Sequence, residues 1–318
     1  MKISVALVTY NHRPFLKEAL DSVLQQSFDD DWEVVIGDDA STDGTSELIA
    51  EYQRQYPQRV RVLSRDANAA DGGRSNAMAT LRACRGDYIA YLDGDDYWLG
   101  NHKLAAQAAM LDASPALSAC VHPVIRDYGD GRQDHFGAPA RRAPFSQAEI
   151  ARNFTFVHCS AFMYRRAALP VLPDWFADAR IVLDDWTLAL LCARQGDIGY
   201  LDEVLGVYRK HAQGIWSGQD TLGRLYQELE TRAFVHTKLI QSVQAEDARS
   251  ARFRRDLQRA QNALARGAYR RARLSLSRAL ANFPFPGRLS NTYRLMFLIE
   301  AWAAFSKPLL LGLRRWWR

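Results

Sequence analysis

Cysteine is scarce in this chain. Cys84, Cys120, Cys159 and Cys192 are its four, and no two stand at a CxxC spacing. That pattern indicates neither a disulfide framework nor a zinc site. No stretch reaches about 18 uninterrupted apolar residues, so a membrane-spanning helix is not expected. Met1-Lys2 leads straight into a strand-like run with no small-residue cleavage site, unlike a signal peptide. The expectation is a reducing, cytoplasmic setting. Neither a GxGxxG after the first strand nor a GxxxxGK[ST] occurs, which removes support from dinucleotide-dehydrogenase and P-loop chemistry.

What is present suits a folded enzyme-sized body. The 318 residues, 48% of them hydrophobic, fill one large domain and a smaller appendage. Charge is unevenly spread. Residues 224–318 carry 19 Lys/Arg and 6 Asp/Glu, a net +13, while 1–223 carry 22 and 30, a net −8. An acidic body with a basic tail points to an anionic partner for the tail, either membrane lipid or nucleic acid.

The densest chemical signal is Tyr88-Ile89-Ala90-Tyr91-Leu92-Asp93-Gly94-Asp95-Asp96, an apolar run that ends in three carboxylates. Continuous apolar runs mark buried parallel strands, and ligands gather at the carboxyl ends of such strands. Carboxylates crowded there call for a cation, and hard oxygen donors suit Mg²⁺ or Mn²⁺ bridging to a diphosphate. A solvated Asp-Gly turn is the plain alternative. Earlier runs repeat the pattern. Strands are expected at 3–8, 33–37 and 60–63, with helices starting near Pro14, after Asp43 and near Arg74, the last stopped by Gly86. Ser41 or Asp43 is placed to cap the second helix. This alternation predicts an α/β fold with a doubly wound, mostly parallel sheet. Thr9-Tyr10-Asn11 and Asp38-Asp39 then share one sheet edge with the triple-acid loop.

Further along, 127–147 reads as loop, 156–164 as a strand carrying polar groups, and Asp184-Asp185-Trp186 as a helix start. Acids at a helix N-terminus are favoured by capping alone. Residues 198–201 and 204–208 read as a late strand pair, followed by His211. Beyond about 220 the pattern is helical. It comprises an amphipathic helix over 221–243, a tetratricopeptide-like hairpin over 257–280, and a Leu- and Trp-rich tail over 293–318.

Taken together, Val8-Thr9-Tyr10-Asn11, Asp38 through Thr45, Leu92 through Asp96, Asp184-Asp185-Trp186 and Tyr208-Arg209-Lys210-His211 resemble the inverting family 2 glycosyltransferases of GT-A fold that build bacterial surface polysaccharides. The resemblance covers about residues 1–218. It implies a catalytic domain over 1–219 and a helical region over 220–318. It also implies a nucleoside-diphosphate sugar donor, of UDP type by the acceptor-only carboxylate at Asp39, and Mn²⁺ or Mg²⁺. Asp39 would accept from the base, with Thr9 and Tyr10 lining its pocket beside Asn11. Arg74 would lie near the base or diphosphate, and Asp93 at the ribose or a metal-bound water. Asp95 would hold the metal, with His211 as a further metal or phosphate contact. Asp185 would be the general base and Asp184 its helper, although the first acid of this pair is Asp where the family commonly has Glu. His158 and Ser160 face either the acceptor or the core.

A glycan or lipid-linked saccharide is the implied acceptor. Two other readings stand beside this one. A nucleotidyltransferase also uses carboxylates and a metal, but leaves Asp184, Asp185 and His211 without a role. A nucleic-acid-binding protein would need basic residues interleaved with exposed aromatics. The tail instead carries leucine-rich runs ending in Arg314-Arg315-Trp316-Trp317-Arg318. That composition predicts a segment lying on the inner face of the membrane, or else a helix packed on the catalytic domain, and no nucleic acid.

Overall fold

The computed structural model describes residues 1–137, 144–152, 158–169, 172–178, 180, 181, 184–212 and 214, with scattered helical positions from 227 to 278. Two compact units emerge, Met1–Ala179 with Asp184–Ser217, and Arg180–Leu183 with Gly218–Arg318. In the second, the Thr231 hydroxyl donates to the Arg180 carbonyl at 2.6 Å, and the Arg180 guanidinium lies 3.9 Å over the Phe234 ring. The expected hairpin at 257–280 and the tail at 293–318 fall mostly or wholly outside the described residues.

The first unit opens with three strand–helix pairs: β1 (Ile3–Thr9), α1 (Arg13–Leu24), β2 (Trp32–Asp38), α2 (Thr45–Gln55), β3 (Val60–Ser64) and α3 (Arg74–Ala83). β4 (Tyr88–Asp93), β5 (Tyr97–Trp98), α4 (Lys103–Ala113), β6 (Leu117–Val121), β7 (Val124–Asp127) and β8 (Gln133–Phe136) follow. Then come α5 (Gln147–Arg152), β9 (Met163–Arg165), α6 (Asp184–Cys192), β10 (Asp197–Tyr200) and β11 (Gly206–Arg209). A seven-stranded sheet runs β10-β6-β9-β4-β1-β2-β3, and a four-stranded one runs β5-β11-β7-β8. In the larger sheet β9 alone is antiparallel to its neighbours; the other pairs are parallel.

β1 and β2 are buried on both faces, which explains why they read as unbroken apolar runs. α1 lays Leu16, Ala19, Leu20 and Val23 into the core. Each large side chain there contributes roughly 1.5–3 kcal/mol by leaving water. Chain order moves from β1 outward to β3, then returns to the other side of β1 for β4. The carboxyl ends of β1 and β4 are therefore the switch point of the sheet, where such sheets carry their ligand crevice.

Several expectations need correction. Part of 127–147 is a strand, β8, paired with β7. The polar segment at 156–164 is a 3₁₀ turn over Cys159–Ala161 that leads into the shorter β9; residues 153–157 lie outside the description. β10 and β11 do not pair with each other, since β10 joins β6 and β11 joins β5 and β7. Gly44, in the left-handed region, is the N-cap of α2, so neither capping candidate holds that position. Asp43 still serves the helix, accepting from Thr45 N–H at 3.0 Å. Ser41 instead donates to Asp38 at 2.5 Å. α3 ends at Ala83, and Gly86 is small for another reason: a Cβ there would sit 2.4 Å from Ser4 N.

Candidate active site

The crevice is closed at its base by a contact that only glycine allows. Gly94 N–H donates to the Val8 carbonyl at 2.8 Å. A Cβ on Gly94 would lie 2.8 Å from Thr9 Oγ1 and 3.1 Å from His12 Nδ1. The ends of β1 and β4 are thereby pressed together, and the flanking acids project beside them. One carboxylate oxygen each from Asp93, Asp95 and Asp96 lies within 4.8 Å of the others.

The three acids have different surroundings. Asp95 Oδ2 is 3.0 Å from His211 Nε2 and 3.7 Å from His12 Nε2. Burial pushes its carboxyl pKa up, but the His211 hydrogen bond and the two imidazoles outweigh it and hold the value below the usual range. Asp96 is 1% exposed. It accepts from Ser160 Oγ at 2.7 Å and from Arg209 N–H at 2.9 Å, and lies 3.2 Å from His158 Nδ1. Burial, then the charges of Asp95 and Asp93, push its pKa well above that of an ordinary carboxylate. Asp93 accepts from the Cys159 thiol at 2.6 Å.

The Tyr208-Arg209-Lys210-His211 segment clasps this cluster from the second sheet. Tyr208 stacks on His158 with ring centres 3.9 Å apart. Arg209 donates from Nη1 to the Asp95 carbonyl at 2.7 Å. It also pairs with Glu18 of α1 and lies 4.4 Å over the Tyr97 ring. His211 packs against Phe15, centre to centre 4.6 Å.

A second pocket wall is built around Asp39. Its N–H donates to the Thr9 carbonyl at 3.1 Å. Its carboxylate receives Asn68 Nδ2 at 2.8 Å, Ala69 N–H at 3.4 Å and Arg65 Nε at 3.2 Å. Burial raises its pKa against the pull of Ala69 and Arg65. A carboxylate offers about four lone-pair positions, so these three partners leave one unfilled, on a residue that is 1% exposed. Asn11, at φ +54°, ties two loops together: its N–H donates to Ser41 Oγ and its Oδ1 accepts from Thr42 N–H. Thr9 is buried with its hydroxyl against Gly94, and Tyr10 is 42% exposed. Arg74 begins α3, just after the left-handed Gly72 and Gly73.

The structure thus gathers Asp93, Asp95 and His211 in one place and sets Asp39 on the neighbouring loop. Asp185 stands apart in sequence at the first turn of α6, its Oδ1 accepting from Trp186 N–H at 2.6 Å. The Asp184 side chain is outside the described residues. His12, Asp96 and Arg209 are also part of the cluster. Asp96 and Arg209 lie inside motifs legible in the sequence, whereas nothing in the sequence singles out His12 beyond its place after β1.

The fold and this acid-lined crevice agree with the family comparison, in which residues 4–172 match the model of glycosyl transferase family 2. The chain belongs to glycosyl transferase family 2. An uncharacterised protein of Mycobacterium tuberculosis is 38% identical over 228 residues, covering 71% of this chain and 64% of that protein. A putative teichuronic acid biosynthesis glycosyltransferase of Bacillus subtilis, TuaG, is 27% identical, covering 73% and 90%. Among solved structures, S. aureus TarS 1–349 in complex with UDP-GlcNAc aligns with a TM-score of 0.60 at 21% identity, covering 91% of this chain and 83% of that one. The mannosyltransferase PcManGT of Pyrobaculum calidifontis, in complex with GDP-Man and Mn²⁺, aligns at 0.55 and 20% identity, covering 98% and 80%. These likenesses establish the GT-A fold.

Proposed function

We propose that this chain is an inverting, metal-dependent glycosyltransferase that moves a sugar from a nucleoside-diphosphate donor, of UDP type, to a hydroxyl of a glycan or lipid-linked acceptor in surface-polysaccharide synthesis. The observation that carries the reading is the convergence of Asp93, Asp95 and Asp96 at the end of β4 with His211 on Asp95. The donor set fits Mn²⁺ or Mg²⁺: hard carboxylate oxygens match these ions, and a cation would relieve the repulsion that Asp93 and Asp95 exert on Asp96. Asp95, with Asp93 and His211, would hold it. When bound, such an ion neutralises the phosphates and the departing diphosphate. The similar fold of the mannosyltransferase PcManGT, solved with GDP-Man and Mn²⁺, supports this assignment.

The remaining steps belong to the chain's own groups. Asp39 accepts the ring N–H of the base, with Thr9 and Tyr10 beside it, and Arg74 offers positive charge toward base or diphosphate. Asp93 also reaches toward the ribose. Asp185 takes the proton from the acceptor hydroxyl as that oxygen bonds the anomeric carbon and the bond to the diphosphate breaks. A single displacement of this kind inverts the anomeric centre. Asp184 assists Asp185.

Asp185→Asn tests the reading, because Asn keeps the shape and caps a helix about as well as Asp. Donor affinity should survive while transfer falls by about 10²–10⁴-fold, and the wild-type product should have the anomeric configuration opposite to the donor. Near-normal transfer by the variant would move the proton-accepting role elsewhere, and a retained configuration would overturn the single displacement.

A further inference from the structure

Two histidines approach one oxygen of Asp95, and they do so differently. His211 Nε2 lies 3.0 Å from Asp95 Oδ2, a hydrogen-bonding distance. His12 Nε2 lies 3.7 Å from the same oxygen, too far for a hydrogen bond. His12 is the N-cap of α1, yet its side chain makes no cap hydrogen bond. Only its carbonyl serves the helix, accepting from Phe15 N–H and Leu16 N–H at 2.9 Å each. The imidazole thus stands at the carboxylate cluster with no bond of its own among the described residues.

What each ring nitrogen faces decides where the proton sits. Nδ1 is buried without a partner and turned to Gly94, where a Cβ would lie 3.1 Å from it. Thr9 Oγ1, also buried and unpartnered, borders the same point at 2.8 Å. A proton on Nδ1 would be a buried donor without an acceptor, the rarer and costlier kind of orphan. Nε2 instead has the Asp95 carboxylate as its neighbour, which favours a proton there. Nε2 is then a donor whether the ring is neutral or charged, and a protonated nitrogen has no lone pair to give a cation.

A phosphate oxygen fits the gap that the carboxylate leaves. Oxygens that share an octahedral Mg²⁺ at about 2.0–2.1 Å are about 3 Å apart. A phosphate oxygen that shares a cation with Asp95 can therefore sit about 3 Å from both Asp95 Oδ2 and His12 Nε2, completing a charge-assisted hydrogen bond. The positive end of the α1 dipole lies at the same residue and favours an anion there.

We propose that His12 binds the diphosphate of the donor, donating from Nε2 to a phosphate oxygen beside Asp95, and that it is not a ligand of the cation. The inference rests on the glycosyltransferase reading.

Calorimetric titration of the full-length protein with Mn²⁺ alone, then with UDP and with GDP at saturating Mn²⁺, tests it. His12→Ala and His12→Asn should bind the nucleotide, UDP by expectation, at least about tenfold more weakly than the wild type, as befits one hydrogen bond to a charged group. Both should bind Mn²⁺ alone as well as the wild type does. His12→Gln should recover most of the lost affinity, because its amide nitrogen reaches about as far as Nε2, whereas that of Asn reaches only as far as Nδ1. Wild-type nucleotide affinity in the Ala and Asn variants overturns the inference and leaves the glycosyltransferase reading intact. A loss shared equally by Mn²⁺ alone would make His12 a metal ligand, and a loss that His12→Gln does not recover would make its role one of packing; either overturns the inference. A wild type that binds neither nucleotide overturns the glycosyltransferase reading and this inference with it.

Discussion

Lys103 is fully buried at the start of α4, where its ammonium donates to Gln107 Oε1 at 2.7 Å and sits 4.0 Å over the Trp98 ring. Burial pushes its pKa from 10.5 down to about 7. Between those values the unfolded chain holds a proton that the folded chain lacks, so stability rises with pH across about pH 7–10. Relative to Lys103→Met, the wild type should gain up to about 1.4 kcal/mol per pH unit in that window, read from denaturant midpoints at both ends. The Gln107 oxygen left without its donor costs the variant a constant amount, so it does not mimic the slope. Parallel profiles would mean that Lys103 is not desolvated. No residue pattern marks this lysine as buried, because a charged residue at a helix start reads as surface. Asp93, Asp95 and Asp39 are legible for the opposite reason: acids that terminate apolar runs have no core role to explain them. His12 is not legible, and His158 could be named but not placed against Asp96, since each acquires its neighbour from a distant loop.

Among the elements, β1, β2 and β4 could be read because buried parallel strands are continuous apolar runs, and the helices between them by their apolar periodicity. β5, β7 and β8 could not, being two to four residues long and too short to display a period. The separation of β10 from β11 is likewise a tertiary fact, decided by partners at β6 and β7. Close approach at two glycines sets the spacing of the strand ends. Gly86→Ala would drive a Cβ into the backbone of Ile3 and Ser4, where the nearest atom is 2.4 Å away. It should cost about 1–3 kcal/mol or more, visible as a lower thermal midpoint. Gly94→Ala would place its Cβ 2.8 Å from Thr9 Oγ1 and 2.9 Å from Thr9 Cβ, and the latter cannot rotate away, so it should also lower the thermal midpoint and weaken Mn²⁺ binding. A Gly86→Ala protein as stable as the wild type would show that the start of β1 yields freely.

For the whole molecule, the two compact units divide the chain near the point where its charge changes sign. Among the described residues no helix is long and apolar enough to cross a membrane. The tail at 293–318 lies outside the described residues, and its role stands on composition: leucines and tryptophans with arginines at the end. Such a segment lying on anionic lipid would bring the enzyme to a lipid-linked acceptor. Full-length protein should sediment with vesicles containing anionic lipid, less so at high salt, and deletion of 293–318 should free it while donor cleavage persists. A truncated protein that aggregates, from a parent that ignores vesicles, would assign the tail to the folded core.

The central claim is that the carboxylates at the end of β4 hold a divalent ion against a nucleotide sugar, and diphosphate release tests it most directly. The purified protein is incubated with a panel of nucleotide sugars and Mn²⁺. Release of UDP from a UDP-sugar, abolished by EDTA, restored by Mn²⁺ or Mg²⁺, and lost by orders of magnitude in a folded Asp95→Ala variant, is the predicted result. Release that continues undiminished in EDTA, or that survives Asp95→Ala, would contradict it.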